Sequence, residues 1–218
     1  MTEHHLTVAR TARYYQLGEL SAQTQRVWIV CHGYGQLAQY FARHFQFLVD
    51  ADPAAVVIAP EGLSRFYLHG SSGRVGASWM TRDDRLHEIE DHIGFLNQLT
   101  DKVRTSCPAG VPITVLGFSQ GTATVGRWLA RARFRPAHLI LWAGGFPEDL
   151  APPVAKALLQ GLRLTMVAGT NDEYISADQL AQQQAQLLQL GGTPRLVTFA
   201  GKHELNRDVL AQLAADSR

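Results

Sequence analysis

Apolar and polar positions follow two different patterns along the chain. Short, nearly continuous apolar runs rich in β-branched residues are typical of strands that are buried on both faces of a sheet. These runs predict six strands, at residues 26–31, 55–59, 113–117, 138–142, 164–168 and 195–199. A less apolar segment, residues 6–15, precedes them and is predicted to form an antiparallel edge strand.

Longer amphipathic stretches separate the strands. In residues 83–104, apolar side chains such as Ile89, Ile93 and Leu96 recur at three- and four-residue spacing, which places them on one helical face. The predicted helices are residues 36–49, 83–104, 120–132, 176–190 and 204–213. Ser176 and Gln179 have the spacing of a capping box at the start of the fourth helix. The alternation predicts an α/β fold, with a mostly parallel sheet of about seven strands covered by helices on both faces.

One connection is much longer than the others. Residues 61–82 are rich in Gly and Ser and contain several large apolar side chains. Connections of this length in compact domains are often functional. No insertion is long enough for a separate lid domain, and no linker marks a boundary. The sequence therefore predicts a single domain over residues 1–218.

The composition indicates which binding partners and which cellular compartment to expect. The 218 residues are 46% hydrophobic and carry a formal net charge of +1, so a nucleic-acid or anionic-membrane partner would find little charge to bind. Cys31 and Cys107 do not make a disulfide framework, and free thiols fit a reducing compartment. The N-terminal residues hold no apolar run of signal-peptide length, and nothing reaches transmembrane length. We expect a cytoplasmic protein with no membrane span.

A candidate nucleophile follows the third apolar run. Gly117-Phe118-Ser119-Gln120-Gly121 matches the pattern G-x-S-x-G between a predicted strand and a predicted helix. A sharp turn there exposes the serine Oγ above the sheet, and glycines at the flanking positions avoid collisions with neighbouring backbone. The helix N-terminus supplies N–H groups where negative charge would develop. The pattern alone is a weak signal, but the strand and helix around it are the context that a nucleophile elbow requires.

An acid and a base follow in the chain order that hydrolases use. Asp172 comes just after the fifth predicted strand and His203 just after the sixth, at the edge where ligands bind in open α/β sheets. Asp172 would orient the imidazole, and His203 would take the proton of Ser119. Glu173 is the alternative acid. Among the nine histidines, His69 in the long connection is not excluded as the base by its position.

The first predicted strand ends in the segment Cys31-His32-Gly33-Tyr34-Gly35, which allows two interpretations. In a hydrolase, the Tyr34 backbone N–H and the Gln120 backbone N–H would form the oxyanion hole. The stretch from Gly33 to Ala38 also matches G-x-G-x-x-A, a loose dinucleotide fingerprint, with Glu61 as the ribose-binding acid. The hydrolase interpretation is favoured because it also explains Ser119, Asp172 and His203.

Taken together, these segments resemble the phospholipase/carboxylesterase family of α/β-hydrolases, which includes acyl-protein thioesterases. The matching motifs are HGYG (32–35), AP (59–60), SW (78–79), GFSQG (117–121), GTND (169–172) and GKHE (201–204), in family order. The resemblance implies an α/β-hydrolase fold with Ser119, Asp172 and His203 as triad. Gln36, Thr122 and Lys202 depart from the usual family pattern, and the long connection looks like a bacterial predicted-esterase subgroup.

The expected activity is hydrolysis of short- to medium-chain acyl esters or thioesters through an acyl-enzyme. Seven side chains are predicted to bind the substrate: Leu63, Phe66, Tyr67, Trp79, Met80, Phe146 and Ile175. No cofactor is expected, and no histidine pair has metal-ligand spacing with a supporting cysteine or carboxylate. A homodimer is compatible with the sequence. The alternative functions are a non-catalytic binding protein on the same fold and an NAD(P)-binding oxidoreductase; a peptidase or a lipase also stays open.

Overall fold

The computed structural model describes residues 1–216, which contain nine strands and seven α-helices. The strands are β1 (Tyr14–Leu17), β2 (Arg26–Cys31), β3 (Ala55–Pro60), β4 (Ser64–Tyr67), β5 (Val75–Ser78), β6 (Ile113–Phe118), β7 (His138–Trp142), β8 (Leu164–Gly169) and β9 (Pro194–Phe199). The helices are α1 (Ala38–Ala42), α2 (Gln46–Ala51), α3 (Arg85–Thr105), α4 (Gln120–Leu129), α5 (Pro152–Leu159), α6 (Ala177–Gln189) and α7 (Arg207–Ala215), with a 3₁₀ helix (Arg43–Phe45) between α1 and α2.

Seven strands form one twisted sheet in the order β1-β3-β2-β6-β7-β8-β9. The edge strand β1 is antiparallel to β3, and the other neighbours are parallel. The predicted α/β fold with about seven strands is therefore confirmed. Because β2 and β6 to β9 run in the same direction, their carboxyl ends meet at one edge of the sheet. The candidate functional residues follow these ends.

The sheet is covered on both faces. In β2, Val27 and Ile29 face a core that includes side chains of α3, α4 and α5, whereas Trp28 and Val30 face a core with α1, α2 and α7. All four side chains are at most 2% exposed. Burying each aliphatic side chain of this kind stabilises the fold by about 2 kcal/mol. This two-sided burial is the reason why the inner strands read as continuous apolar runs. The strand predicted at residues 195–199 differs: β9 lies at the edge of the sheet, and Arg195, Leu196 and Thr198 are exposed.

Two predicted elements need correction, and two elements were not predicted. The edge strand was predicted at residues 6–15, but β1 spans Tyr14–Leu17, because residues 6–11 are exposed and form no strand. The helix predicted at residues 36–49 is broken by the 3₁₀ turn, although Phe41, Phe45 and Leu48 still face the core. The apolar pattern does not predict α5, which begins with two prolines, or the β4–β5 hairpin within the long connection.

Other predictions agree with the structure. Ser176 and Gln179 form the predicted capping box of α6, each binding the backbone N–H of the other. Cys31 is buried, Cys107 is half-buried, and neither forms a disulfide. Within residues 1–216, every helix is too short or too polar to cross a bilayer.

Candidate active site

Ser119 occupies a strained turn between β6 and α4. Its backbone has φ 53° and ψ −118°, a left-handed conformation that non-glycine residues rarely adopt. Its N–H donates to the carbonyl of Trp142 at 2.8 Å, which fixes the turn to the neighbouring strand. A Cβ at Gly121 would lie 2.3 Å from the Cys31 carbonyl oxygen, so only glycine fits there. This is the geometry that the G-x-S-x-G pattern predicts.

Asp172 and His203 meet at the ends of β8 and β9. The Nδ1 atom of His203 lies 2.9 and 3.1 Å from the two carboxylate oxygens of Asp172. The Asp172 side chain is fully buried, and its Oδ1 also accepts the backbone N–H groups of Tyr174 and Ile175. Because this carboxylate accepts the Nδ1–H, the other ring nitrogen, Nε2, is left with a free lone pair.

The His203 ring lies beside the nucleophile turn. Its centroid is 5.0 Å from the ring of Phe118 and 4.7 Å from the ring of Tyr174, and the side chain is 16% exposed. No hydrogen bond joins Ser119 Oγ to His203 in the part of the chain that the structure describes. Catalytic hydrogen bonds are often long without substrate and shorten in the Michaelis complex.

The segment after β2 lies against Ser119. A Cβ placed on Gly33 would be 3.1 Å from Ser119 Cβ. The Gly33 N–H donates to Gln36 Oε1 at 2.8 Å, and the Gly35 N–H donates to the Ala77 carbonyl at 2.9 Å. Among the described residues, the Tyr34 N–H has no such partner. The loop thus leaves one backbone donor free next to the nucleophile.

The buried side chain of His32 fixes the segment of residues 32–35 to the long connection. Its Nδ1 lies 2.7 Å from the Gly33 carbonyl and donates to it, while Nε2 accepts the Gly62 N–H at 3.0 Å. Burial lowers the pKa of His32 to about 4, so the ring is neutral at pH 7. Trp79 donates its indole N–H to the His32 carbonyl at 2.8 Å. His32 therefore fits an organising role and not proton transfer.

The side chain of Gln120 joins the nucleophile helix to the long connection. Its Oε1 accepts the Trp79 N–H at 3.0 Å, and its Nε2 donates to the Met80 carbonyl at 2.8 Å. This role of the Gln120 side chain was not predicted from the sequence. The Ser78-Trp79 motif in the sequence could have pointed to this contact. However, Trp79 and Gln120 are 41 positions apart, and no local pattern connects them.

Glu61 has a structural role that excludes ribose binding. Its side chain is fully buried and accepts from Arg13 at 2.7 Å, from Arg65 at 3.3 Å and from the Ala38 N–H at 3.2 Å. The carboxylate therefore has no free face for a ribose hydroxyl. The dinucleotide interpretation of residues 33–38 lacks its acidic residue.

The predicted substrate-binding side chains fall into three groups. Leu63, Phe66, Met80 and Ile175 are half-buried, and Tyr67 is exposed. The ring centroid of Phe66 lies 5.1 Å from that of Tyr34, which brings β4 beside residues 32–35, the candidate oxyanion segment. Trp79 and Phe146 expose only 1% and 4% of their surface, so we reassign both from substrate binding to packing.

Two further side chains position the loops around Ser119. Trp142 donates its indole N–H to the Glu204 carbonyl at 2.9 Å, next to His203. The Thr122 hydroxyl lies 2.7 Å from the Ser119 carbonyl oxygen and 2.8 Å from that of Gly145. Thr122, where the family usually has glycine, thus fixes the turn to the loop after β7.

A groove of about 600 Å³ lies against the outer side of the oxyanion segment. Its wall includes Gln36, Tyr40, His44 and Arg74. It shares Gly35 and Gln36 with that segment and so lies next to the candidate site.

Comparisons with known proteins agree with the fold. The structure is similar to that of esterase PE8, with a TM-score of 0.73 and 20% identity over 96% of this chain and 99% of the esterase. Acyl-protein thioesterase 2 from Zea mays matches with a TM-score of 0.70 and 15% identity, over 95% and 98% of the two chains. A carboxylesterase from Mesorhizobium loti matches with a TM-score of 0.69 and 18% identity, over 94% of each chain. At these identities the likeness establishes the α/β-hydrolase fold.

No curated protein sequence matches the chain. The profile of the family described as serine aminopeptidase, S33, matches residues 22–212, which include every residue of the candidate site. The resemblance seen in the motifs and the hydrolase class are thereby confirmed. The chain belongs to the serine aminopeptidase S33 family of α/β-hydrolases and is a serine hydrolase.

Proposed function

We propose that the protein is a serine carboxylesterase or thioesterase with Ser119 as nucleophile, His203 as general base and Asp172 as the orienting acid. The observation that carries the proposal is the hydrogen bond between His203 Nδ1 and the buried carboxylate of Asp172, at 2.9 Å. This contact joins residues from two different strand ends beside the strained serine. A purely structural ion pair would not require a left-handed serine next to it.

The arrangement supports a two-step reaction. His203 Nε2 removes the proton of Ser119 as Oγ attacks the acyl carbon, and the imidazolium then protonates the leaving alcohol or thiol. The Asp172 carboxylate stabilises the imidazolium, because it is buried and already accepts the Nδ1–H. Water then enters, loses a proton to the same nitrogen and releases the acid from the acyl-enzyme.

Two backbone donors would stabilise the tetrahedral oxyanion. The Tyr34 N–H has no protein partner in the part of the chain that the structure describes, and the Gln120 N–H lies at the first position of α4, where helical N–H groups have no partner within the helix. The positive end of the helix dipole adds to their effect. Losing one such donor in a hydrolase costs about 10²- to 10³-fold in kcat.

The surroundings favour a short or medium acyl group. The connection around the site folds into a two-stranded hairpin with four residues in each strand, which is too small to form a separate lid domain. Phe66, Met80 and Ile175 are half-buried and have surface left for contact. We infer that they contact the acyl chain.

An aminopeptidase is the second candidate, because the matching family carries that description. Such an enzyme must also bind the α-ammonium group of its substrate, and a carboxylate in the site would do this. Glu173, which is exposed and adjacent to Asp172, is the acidic side chain in the right part of the chain. Aminoacyl nitroanilides therefore belong in the substrate panel.

The test is turnover of a panel of nitrophenyl esters from acetate to palmitate, matched thioesters and aminoacyl nitroanilides. We expect the highest kcat/KM for acyl chains of about two to eight carbons, and loss of turnover in Ser119→Ala. The Ser21→Ala variant, which alters a serine far along the chain from the elbow, is the control. Cleavage only of long-chain esters or only of nitroanilides would overturn the proposed substrate class, and persistent turnover in Ser119→Ala would reassign the nucleophile.

A further inference from the structure

A second cluster of chemically active side chains lies at the start of α3. His5 Nε2 is 3.4 Å from Asp84 Oδ1, and His87 Nδ1 is 2.5 Å from the same oxygen. Glu3 Oε1 lies 3.2 Å from His5 Nε2. One ligand atom from each of His5, Asp84 and His87 lies within 4.8 Å of the other two.

These separations are close to those of a metal's ligand shell. Ligands about 2.1 Å from a tetrahedral Zn²⁺ ion are about 3.4 Å from one another. The Asp84–His5 and Glu3–His5 distances already match this value, and the Asp84–His87 pair would open by about 1 Å on binding. Small side-chain rotations would bring the ligand atoms to these distances, because the side chains of His5, Asp84 and His87 are 42% to 55% exposed and free to move.

The donor set selects a class of ion. Two imidazole nitrogens with carboxylate oxygens suit Zn²⁺ and related divalent transition metals, whereas Mg²⁺ and Ca²⁺ prefer oxygen ligands alone. The two imidazole rings stack with centroids 4.0 Å apart and an interplanar angle of 28°, which turns a nitrogen of each toward Asp84. A simple ion pair with Asp84 would need only one imidazole ring, whereas a metal site uses both.

Sequence spacing could not reveal this cluster, because His5 and Asp84 are about eighty residues apart. Asp84 also has an unusual backbone. With φ 49° it adopts the left-handed conformation immediately before α3, and its side chain does not cap the helix. The carboxylate points instead to the two histidines.

We propose that His5, Asp84 and His87 bind one divalent transition-metal ion, with Zn²⁺ as the type ion and Glu3, the carboxylate beside His5, as a further ligand that swings in on binding. The site fastens the N-terminal segment, residues 1–10, to the start of α3. This segment is exposed and forms no helix or strand. Outside the cluster, the Arg10 guanidinium connects it to the rest of the protein by donating a hydrogen bond to the Leu63 carbonyl. The role is structural and does not depend on the proposed esterase activity.

The experiment is a Zn²⁺ titration of the full chain, after treatment with a chelator, by calorimetry and with Co²⁺ absorption as a second probe. We expect one ion per chain. His87→Ala and Asp84→Asn should each weaken binding about tenfold or more. Asparagine suits the left-handed backbone at position 84, so Asp84→Asn should fold normally. His4→Ala and His69→Ala are matched controls, because both histidines are exposed and outside the cluster.

Hydrogen exchange of residues 1–10 gives an independent readout. Zn²⁺ should slow exchange in this segment in the native sequence and in His69→Ala, but not in His87→Ala. Equal Zn²⁺ affinity in the native protein and His87→Ala would overturn the site, as would a dissociation constant above about 1 mM. Tight binding without protection of residues 1–10 would overturn the fastening role.

Discussion

The side-chain oxygen of Gln120 accepts the backbone N–H of Trp79 at 3.0 Å, and this bond connects the residue after the nucleophile to the long connection. The amide nitrogen of the same side chain donates to the Met80 carbonyl. Gln120 thus has two roles in one residue. Its backbone N–H, at the start of α4, is the proposed oxyanion donor, and its side chain holds residues 79 and 80 of the long connection.

Replacing Gln120 by Glu should lower kcat about ten- to hundredfold with little change in KM, because the wall moves and a negative charge approaches the oxyanion. The variant keeps the acceptor for the Trp79 N–H but loses the donor to Met80. Steady-state kinetics with nitrophenyl butyrate measure the change. Gln98→Glu, at an exposed position on α3, is the control, and equal kcat in both variants would argue against a positioning role.

Replacing Asp172 by Asn should lower kcat by about four powers of ten, because an amide no longer holds the Nδ1–H tautomer of His203. The fold should persist, since an asparagine oxygen still accepts the Tyr174 and Ile175 N–H groups. Glu173→Gln, the exposed neighbour, should retain full esterase activity. A larger loss in Glu173→Gln than in Asp172→Asn would assign the acid to Glu173.

Stability should fall as the pH drops below about 6.5, the pKa of an unfolded histidine. Burial lowers the pKa of His32, His92 and His138 to about 4. Between these values the unfolded chain binds protons that the folded chain does not, so the free energy of unfolding decreases by about 1.4 kcal/mol per pH unit for each histidine. Above pH 6.5 these three histidines are neutral in both the folded and the unfolded chain, so they no longer lower the free energy of unfolding.

Urea unfolding at pH 7, 6, 5 and 4.5 measures this slope. His92→Leu should make it shallower by about 1.4 kcal/mol per pH unit, whereas His69→Asn, at an exposed position, should not change it. A free energy of unfolding that stays constant from pH 7 to 5 would show that these histidines are not held neutral.

Replacing Glu61 by Gln should destabilise the fold by about 1–3 kcal/mol, because Arg13 and Arg65 lose the carboxylate that they share. The lower end of the range applies if water screens the arginines, which are 45% and 38% exposed. Chemical denaturation measures the loss, with Glu19→Gln as an exposed control. No loss of stability would leave Glu61 free for another role.

The sequence predicted the parts of this structure that depend on local pattern. The buried strands, the α6 capping box and the Ser119 turn each follow from apolar runs, cap residues or glycines within a few positions. The order of Ser119, Asp172 and His203 also predicted that they share one sheet edge, because parallel strands bring their carboxyl ends together.

Long-range contacts were not predictable in the same way. The bonds from the Gln120 side chain to Trp79, from Trp142 to Glu204, and from Arg13 and Ala38 to Glu61 join residues at least 23 positions apart. No periodicity encodes them. Trp79 was predicted to line the substrate pocket because it lies in a long loop. In the structure it is buried, and its indole N–H donates to the His32 carbonyl. The β4–β5 hairpin was missed because its strands are short and its residues are mixed in polarity.

Mass spectrometry of the protein after treatment with a fluorophosphonate is the decisive test of Ser119 as the nucleophile. We expect one adduct per chain, mapped to the peptide that contains Ser119, and almost no adduct in His203→Ala because the hydroxyl then lacks its base. An adduct on another residue, or ester turnover that continues without any adduct on Ser119, would contradict it.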